Sequence, residues 1–213
     1  CMSRFLTLFL VSVLGAALGT PVTAQQFELH KGDHVCIVGN TLAERMQHDG
    51  WLETLIHARY PDHELVFRNL GYSGDEVNGW QDGSKRLRSM SFGSQDEWLS
   101  GSAPVPQPQK LSKRDEGKVR ANRFELTNTK ADVIFAFFGY NESWAGEAGL
   151  PKFKSDVEAF IKHTAGAKYN GKSAPRLVLF SPIAQELIAD ANLPAADAVA
   201  ASNARLKMYS EAL

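Results

Sequence analysis

The sequence predicts an α/β protein built on a parallel, doubly wound sheet. Three observations carry that expectation. Apolar runs of five to seven residues alternate along the chain with helix-period patterns. The run at 132–138, DVIFAFF, is apolar throughout after its first residue, the mark of a strand covered on both faces. Each of the first three runs ends in a turn rich in Gly and Asn.

Residues 34–38 (HVCIV) read as the first strand. Cys36 lies inside that pattern and reads as a small buried hydrophobe. Residues 42–60 read as one helix, with Leu42, Met46, Leu52, Leu55, Ile56 and Arg59 spaced for one face, and Pro61-Asp62 stops it. Residues 64–69 (ELVFRN) form a second strand and 132–138 a third. Residues 151–165 read as a helix with Pro151 in its first turn and Phe153, Val157, Phe160 and Ile161 inward. Residues 176–180 (RLVLF) are the fourth strand. Residues 195–213 are a last helix, with Leu206, Tyr209 and Leu213 on one side. Doubly wound domains usually continue to a fifth strand, so the C-terminal part of the domain is expected to be missing and the sequence to be a fragment open at both ends.

The 213 residues suffice for one such domain, and the formal net charge of -1 gives no ground for a nucleic-acid or anionic-membrane surface. Residues 1–24 read as a signal peptide. Met2-Ser3-Arg4 is a short basic segment, and 5–18 (FLTLFLVSVLGAAL) is apolar but too short for a comfortable membrane span. Val22-Thr23-Ala24 fits a small-residue cleavage site, so the mature chain is expected to start near Gln25 and to be exported, to the periplasm or beyond. Cys1 precedes a plausible start Met, and no Cys stands at the cleavage point to take a lipid anchor. Removing the signal leaves Cys36 alone, so no intrachain disulfide can form.

Within the mature domain, 25–213, the segment at about 81–130 differs in composition. It is rich in Ser, Gly, Pro, Lys and Arg, and APVPQPQK at 103–110 suits neither helix nor central strand, so it reads as an irregular insertion. Its basic runs at 85–88 and 113–120 read as solvated surface. Residues 166–173, GAKYNGKS, satisfy the phosphate-loop spacing, but the order is helix, loop, strand. A phosphate loop needs the helix afterwards, so that its N–H groups point at the phosphate. Gly166 reads instead as a helix C-cap and Asn170-Gly171 as a turn. The histidines at 48, 57 and 63 read as surface residues, no metal or cofactor motif is present, and Asn141-Glu142-Ser143 is a glycosylation triplet of a kind common by chance.

In a parallel sheet all strand ends of one sense open on one edge, so the turns Gly39-Asn40-Thr41, Asn69 to Gly74 and Gly139 to Ser143 are expected to meet there. Acyl transfer needs a nucleophile and donors for the oxyanion of its tetrahedral intermediate. Thr41 carries a hydroxyl, Gly71 an N–H with no side chain in the way, and Asn141 an amide at the end of a rigid strand. Each turn also has a plain structural reading, as a strand end or helix cap. The combination resembles the SGNH, or GDSL-like, hydrolase family. Gly39-Asn40-Thr41 stands where that family has Gly-Asp-Ser, NLGYSG matches its second block with Gly71, and GYNE its Gly-x-Asn-Asp block with Asn141. The resemblance implies a flavodoxin-like three-layer α/β/α sandwich, Thr41 at the nucleophile position, and Gly71 and Asn141 as oxyanion donors. It implies a small-molecule or carbohydrate ester as substrate, with small acyl groups. GNTLAERMQ, NLGYSGDEV and FFGYNESWAGEAGLPKF look like a divergent branch found in exported bacterial proteins, where further domains can be fused. Two departures stand out. Thr replaces Ser at 41, and no Asp-x-x-His block occurs near the C-terminus, so the catalytic His is expected outside this chain. The alternative expectation is a catalytically degenerate module of the same fold that binds carbohydrate or another ligand.

Overall fold

The computed structural model describes residues 27–77 and 129–213. The expected signal segment lies outside the described residues, as does the 81–130 insertion except for its last two residues. Four parallel strands form one sheet: β1 (His34–Gly39), β2 (Val66–Asn69), β3 (Val133–Phe137) and β4 (Arg176–Phe180), in the order β2-β1-β3-β4. The chain winds outward from β1 to β2, then returns to β3 on the other side of β1. The reversal falls between β1 and β3, where Gly39 pairs with Phe137. This is the flavodoxin-like order as far as its fourth strand, and its switch point is where such sheets bind ligands.

Strand residues alternate between the two faces. Val35, Ile37, Val133, Phe135 and Phe137 face α1 (Thr41–Arg45) and α2 (Trp51–Arg59). Cys36, Val38, Ile134, Ala136 and Phe138 face α3 (Gly146–Gly166) and α4 (Ala196–Ser210). The result is a three-layer sandwich with β3 buried along its whole length. Cys36 is fully buried, and burial pushes its thiol up to about 12, so it is an inert part of the core.

Several expectations are corrected. The helix expected over 42–60 is two helices, broken at 46–50, where Gly50 stands at the second N-terminus. The break re-phases the second helix. Leu42 and Met46 pack on the core, as do Leu52, Ile56 and Tyr60, whereas Leu55 is 65% exposed and Arg59 faces solvent. Glu64 cannot begin β2, because its backbone is left-handed at φ 53°. The helix expected from Pro151 begins at Gly146, five residues earlier, and its start is held by Tyr209, whose hydroxyl donates to Gly146 O at 2.9 Å. Ile161 lies 40% exposed rather than inward, while Phe153, Val157 and Phe160 are buried. Gly166 is the last helical residue rather than the cap; Ala167 closes the helix by donating to Thr164 O.

Candidate active site

The turn after β1 is built around Gly39. Its φ is 126°, and a Cβ there would collide with the Phe137 carbonyl oxygen and lie 2.8 Å from the carbonyl carbon. Without a side chain, β1 and β3 close together, and the Asn40 N–H donates to Phe137 O at 3.0 Å. Asn40 is buried and caps α1: its Oδ1 accepts the Leu42 N–H at 3.1 Å and its carbonyl accepts the Glu44 N–H at 3.0 Å. That cap makes Thr41 the first helical residue, half-buried at the switch point. Thr41 Oγ1 accepts the Gly74 N–H at 3.2 Å, which leaves its own O–H able to donate.

The loop after β2 is fastened to β1 and α1. Leu70 and Tyr72 donate to Ile37 O and Gly39 O at 2.8 and 2.9 Å, prolonging the ladder past the strand. The Asn69 amide donates to Ala43 O at 2.7 Å, Gln47 donates to Gly71 O at 3.3 Å, and the Ser73 hydroxyl donates to the Glu44 carboxylate. Gly71 is buried so closely on α1 that a Cβ would meet Glu44 N at 2.5 Å and Ala43 C at 2.6 Å. Its N–H donates to Asn69 Oδ1 at 2.8 Å. An oxyanion would have to displace that neutral amide oxygen, and a charged acceptor makes the stronger bond.

After β3, Asn141 precedes a short 3-10 turn, Glu142–Ala145, and makes no side-chain cap. Its Oδ1 is buried without a hydrogen-bond partner, and its Nδ2 makes no hydrogen bond among the described residues. An unpaired buried polar atom costs about 1–3 kcal/mol; the orphan here is an acceptor, so it is the Nδ2 of the same amide, and not Oδ1, that could donate to an oxyanion. Next to it, Glu142 joins two of the turns. Its Oε1 accepts the Val77 N–H and its Oε2 the Gly139 N–H, each at 2.9 Å. Ser143 is buried and donates to Tyr140 O at 2.6 Å, so the glycosylation triplet lies inside the turn and not on an open loop.

Burial pushes the Glu142 carboxyl up to about 7; the backbone N–H groups of Val77, Glu142 and Gly139 oppose the rise and the charge of Glu76 adds to it. Tyr209 on α4 also faces it and is itself raised, by burial first and then by Glu142. Between the ordinary value of 4.5 and about 7, the folded state therefore holds a proton that the unfolded state has released. This group makes the fold less stable as pH rises through that window, by on the order of 3 kcal/mol in total. Urea unfolding of wild type and Glu142→Gln at pH 5 and pH 8 checks this. The wild type should lose stability relative to the variant on going to pH 8; equal changes would exclude the effect.

A cavity of about 390 Å³ opens at the carboxyl edge. The β1 turn contributes Asn40, Thr41 and Leu42. The end of β3 contributes Phe137, Phe138 and Tyr140. The end of β4 and its turn contribute Phe180, Ser181, Pro182 and Ile183. The structure thus gathers the three expected turns at one edge. It places Thr41 in the cavity wall, Asn141 just beyond the lining residue Tyr140, and Gly71 outside the lining on α1. The β4 turn was missed by sequence reasoning, although FSPI directly follows an apolar run. The bridging role of Glu142 was missed too, since nothing in GYNE says where its carboxylate reaches.

No described histidine lines the cavity. His34 sits at the opposite end of β1 with Nδ1 2.9 Å from Thr129 O, and His48 and His57 are exposed. Among the described residues no cluster of His, Cys, Asp or Glu could hold a metal ion, and no helix is long and apolar enough to cross a membrane. In the 166–173 loop, Asn170 Oδ1 accepts the N–H groups of Lys172 and Ser173 at 2.8 and 2.9 Å. Those donors are therefore turned to a local side chain, and the phosphate-loop spacing is not accompanied by a phosphate cradle.

No family model and no curated protein matches the chain. Among solved structures it is similar to an alpha/beta hydrolase enzyme from the metagenome of Lake Arreo, Spain, at TM-score 0.47 and 14% identity, covering 86% of this chain and 71% of that one. It is similar to a gut microbial diltiazem-metabolizing enzyme at TM-score 0.46 and 14% identity, covering 88% of this chain and 34% of that one. A catalytic mutant of an acetylxylan esterase from Geobacillus stearothermophilus is similar at TM-score 0.43 and 12% identity, with 87% and 74% covered. Likenesses this distant carry no argument about chemistry, which rests on the site itself.

Proposed function

We propose that this chain is the core of an exported SGNH-type hydrolase that cleaves ester bonds through an acyl-enzyme. The observation that carries the reading is the unengaged amide of Asn141 in the turn after β3, one residue past Tyr140, which lines the same cavity as the Thr41 hydroxyl. Thr41 Oγ1 attacks the ester carbonyl carbon, and the carbonyl oxygen becomes an oxyanion. Asn141 Nδ2, the Gly71 N–H and the Thr41 N–H donate to it. The C–O bond to the alcohol then breaks, and the alcohol leaves with the proton that Thr41 gave up. Water attacks the acyl group in a second step, releasing the acid and restoring the hydroxyl. A base must carry these protons, and no described histidine lines the cavity. Export rests on residues 1–24, and fusion to further domains rests on the family resemblance.

A second reading has its own support. The Thr41 oxygen already accepts an N–H, and its methyl group restricts χ1 and crowds attack. Both features suit a domain that binds a carbohydrate or other ligand without turnover.

Labelling with an alkyl fluorophosphonate separates the two. A working nucleophile displaces fluoride and keeps the phosphonyl group on its oxygen. Trypsin should release the adduct on peptide 32–45, at Thr41, and Thr41→Ala should lose it. Ester turnover with the label on Ser181 would refute Thr41 as nucleophile. Neither turnover nor label would leave the binding reading.

A further inference from the structure

The cavity beside Thr41 has walls of a definite chemistry. Phe137 and Phe180 stack with centroids 4.2 Å apart and planes 11° from parallel, forming an aromatic wall from adjacent strands. Leu42, Pro182 and Ile183 add aliphatic surface. The polar groups are few. Asn40 Oδ1 caps α1 and its backbone N–H goes to Phe137 O, which leaves the Asn40 Nδ2 and the hydroxyls of Thr41, Ser181 and Tyr140. A sugar moved into such a space would lose water from many hydroxyls and find few partners, a costly exchange. An apolar group would gain by leaving water.

Size narrows the choice further. At about 30 Å³ for a water-sized group, a cavity of about 390 Å³ has room for roughly a dozen. An acetyl group would leave most of the wall without contacts. An acyl chain of about six to eight carbons, or an aryl acyl group, would fill much of it. Ile183, at 62% exposure, can shape the mouth without being part of the core.

We propose that this cavity holds the acyl part of the ester, and that the acyl group is apolar and of medium length or aryl, with the alcohol part left toward solvent. This rests on the reading of Thr41 as nucleophile and replaces the expectation of a small acyl group.

The test has a kinetic and a binding arm, both on the complete natural protein. The nitrophenyl esters of acetate, butanoate, hexanoate and octanoate are compared by kcat/KM. Phenyl ketones with the same acyl chains, which cannot be hydrolysed, are titrated into Thr41→Ala. Both arms should rise by roughly fourfold per methylene as far as hexanoate. Ile183→Trp, which narrows the mouth, should move both optima toward acetate; this separates the cavity from general partitioning of greasy ligands. Turnover with a flat chain-length profile, or one untouched by Ile183→Trp, would overturn the cavity assignment and leave the hydrolase standing. No turnover, with ketones still ranked by length and sensitive to Ile183→Trp, would support the cavity and remove the hydrolase. Ketones bound without regard to length would overturn the assignment in either case.

Discussion

Replacing Asn141 by Ala is expected to lower kcat for ester hydrolysis a hundredfold or more, about 2.7–4 kcal/mol of transition-state stabilisation, with little change in KM. The amide is assigned to a charge that exists only in the tetrahedral intermediate, so its loss falls on the chemical step. The same substitution should not weaken the fold. Asn141 makes no side-chain hydrogen bond among the described residues and its Oδ1 is buried unpaired, so Ala removes a liability and should leave stability equal or about 1 kcal/mol higher. A purely structural asparagine predicts the reverse on both counts. Turnover within threefold of wild type, or a drop in the urea midpoint alongside the drop in activity, would refute the assignment. Steady-state kinetics and urea unfolding on the same preparation decide it.

The part of this site that was visible in the sequence owes its visibility to geometry. A parallel sheet sends every strand end of one sense to one edge, so three distinctive turns could be assembled on paper from apolar runs alone. The central strands β1 and β3 were legible because they are buried on both faces; β3 shows this along its whole length. The break between α1 and α2 was not. Leu42 to Arg59 has a serviceable helical period, and a local turn ending at Gly50 shifts the phase of α2 against α1. Side-chain commitments were also out of reach. The pattern NLGYSG marks Gly71 as a backbone donor, but that Asn69 two residues earlier accepts its N–H is a matter of rotamer and loop path. Glu142 likewise reaches Val77, 65 residues away in sequence, and no local pattern announces a partner at that distance.

Gly39→Ala is expected to cost about 3–5 kcal/mol of folding stability, enough to threaten a domain whose whole margin is about 5–15 kcal/mol. Three contributions act together. Holding a non-glycine residue at φ 126° costs about 1–3 kcal/mol. The new Cβ meets the Phe137 backbone, not the end of a yielding side chain, which adds about 1–3 kcal/mol. Any retreat of the turn stretches the Asn40 N–H to Phe137 O bond at 3.0 Å, worth about 0.5–1.5 kcal/mol. β1 cannot move away as a whole, because it is paired to β2 on its other side over four residues. Gly166→Ala is the control. That glycine ends α3 with open space where a Cβ would go, so Ala should be neutral or stabilising by up to about 1 kcal/mol. Urea unfolding of the two variants reads the difference without reference to any substrate. If Gly39→Ala unfolds within 1 kcal/mol of wild type, the close approach of β1 and β3 at the switch point is wrong, and with it the placement of Asn40 and Thr41 on which the catalytic reading depends.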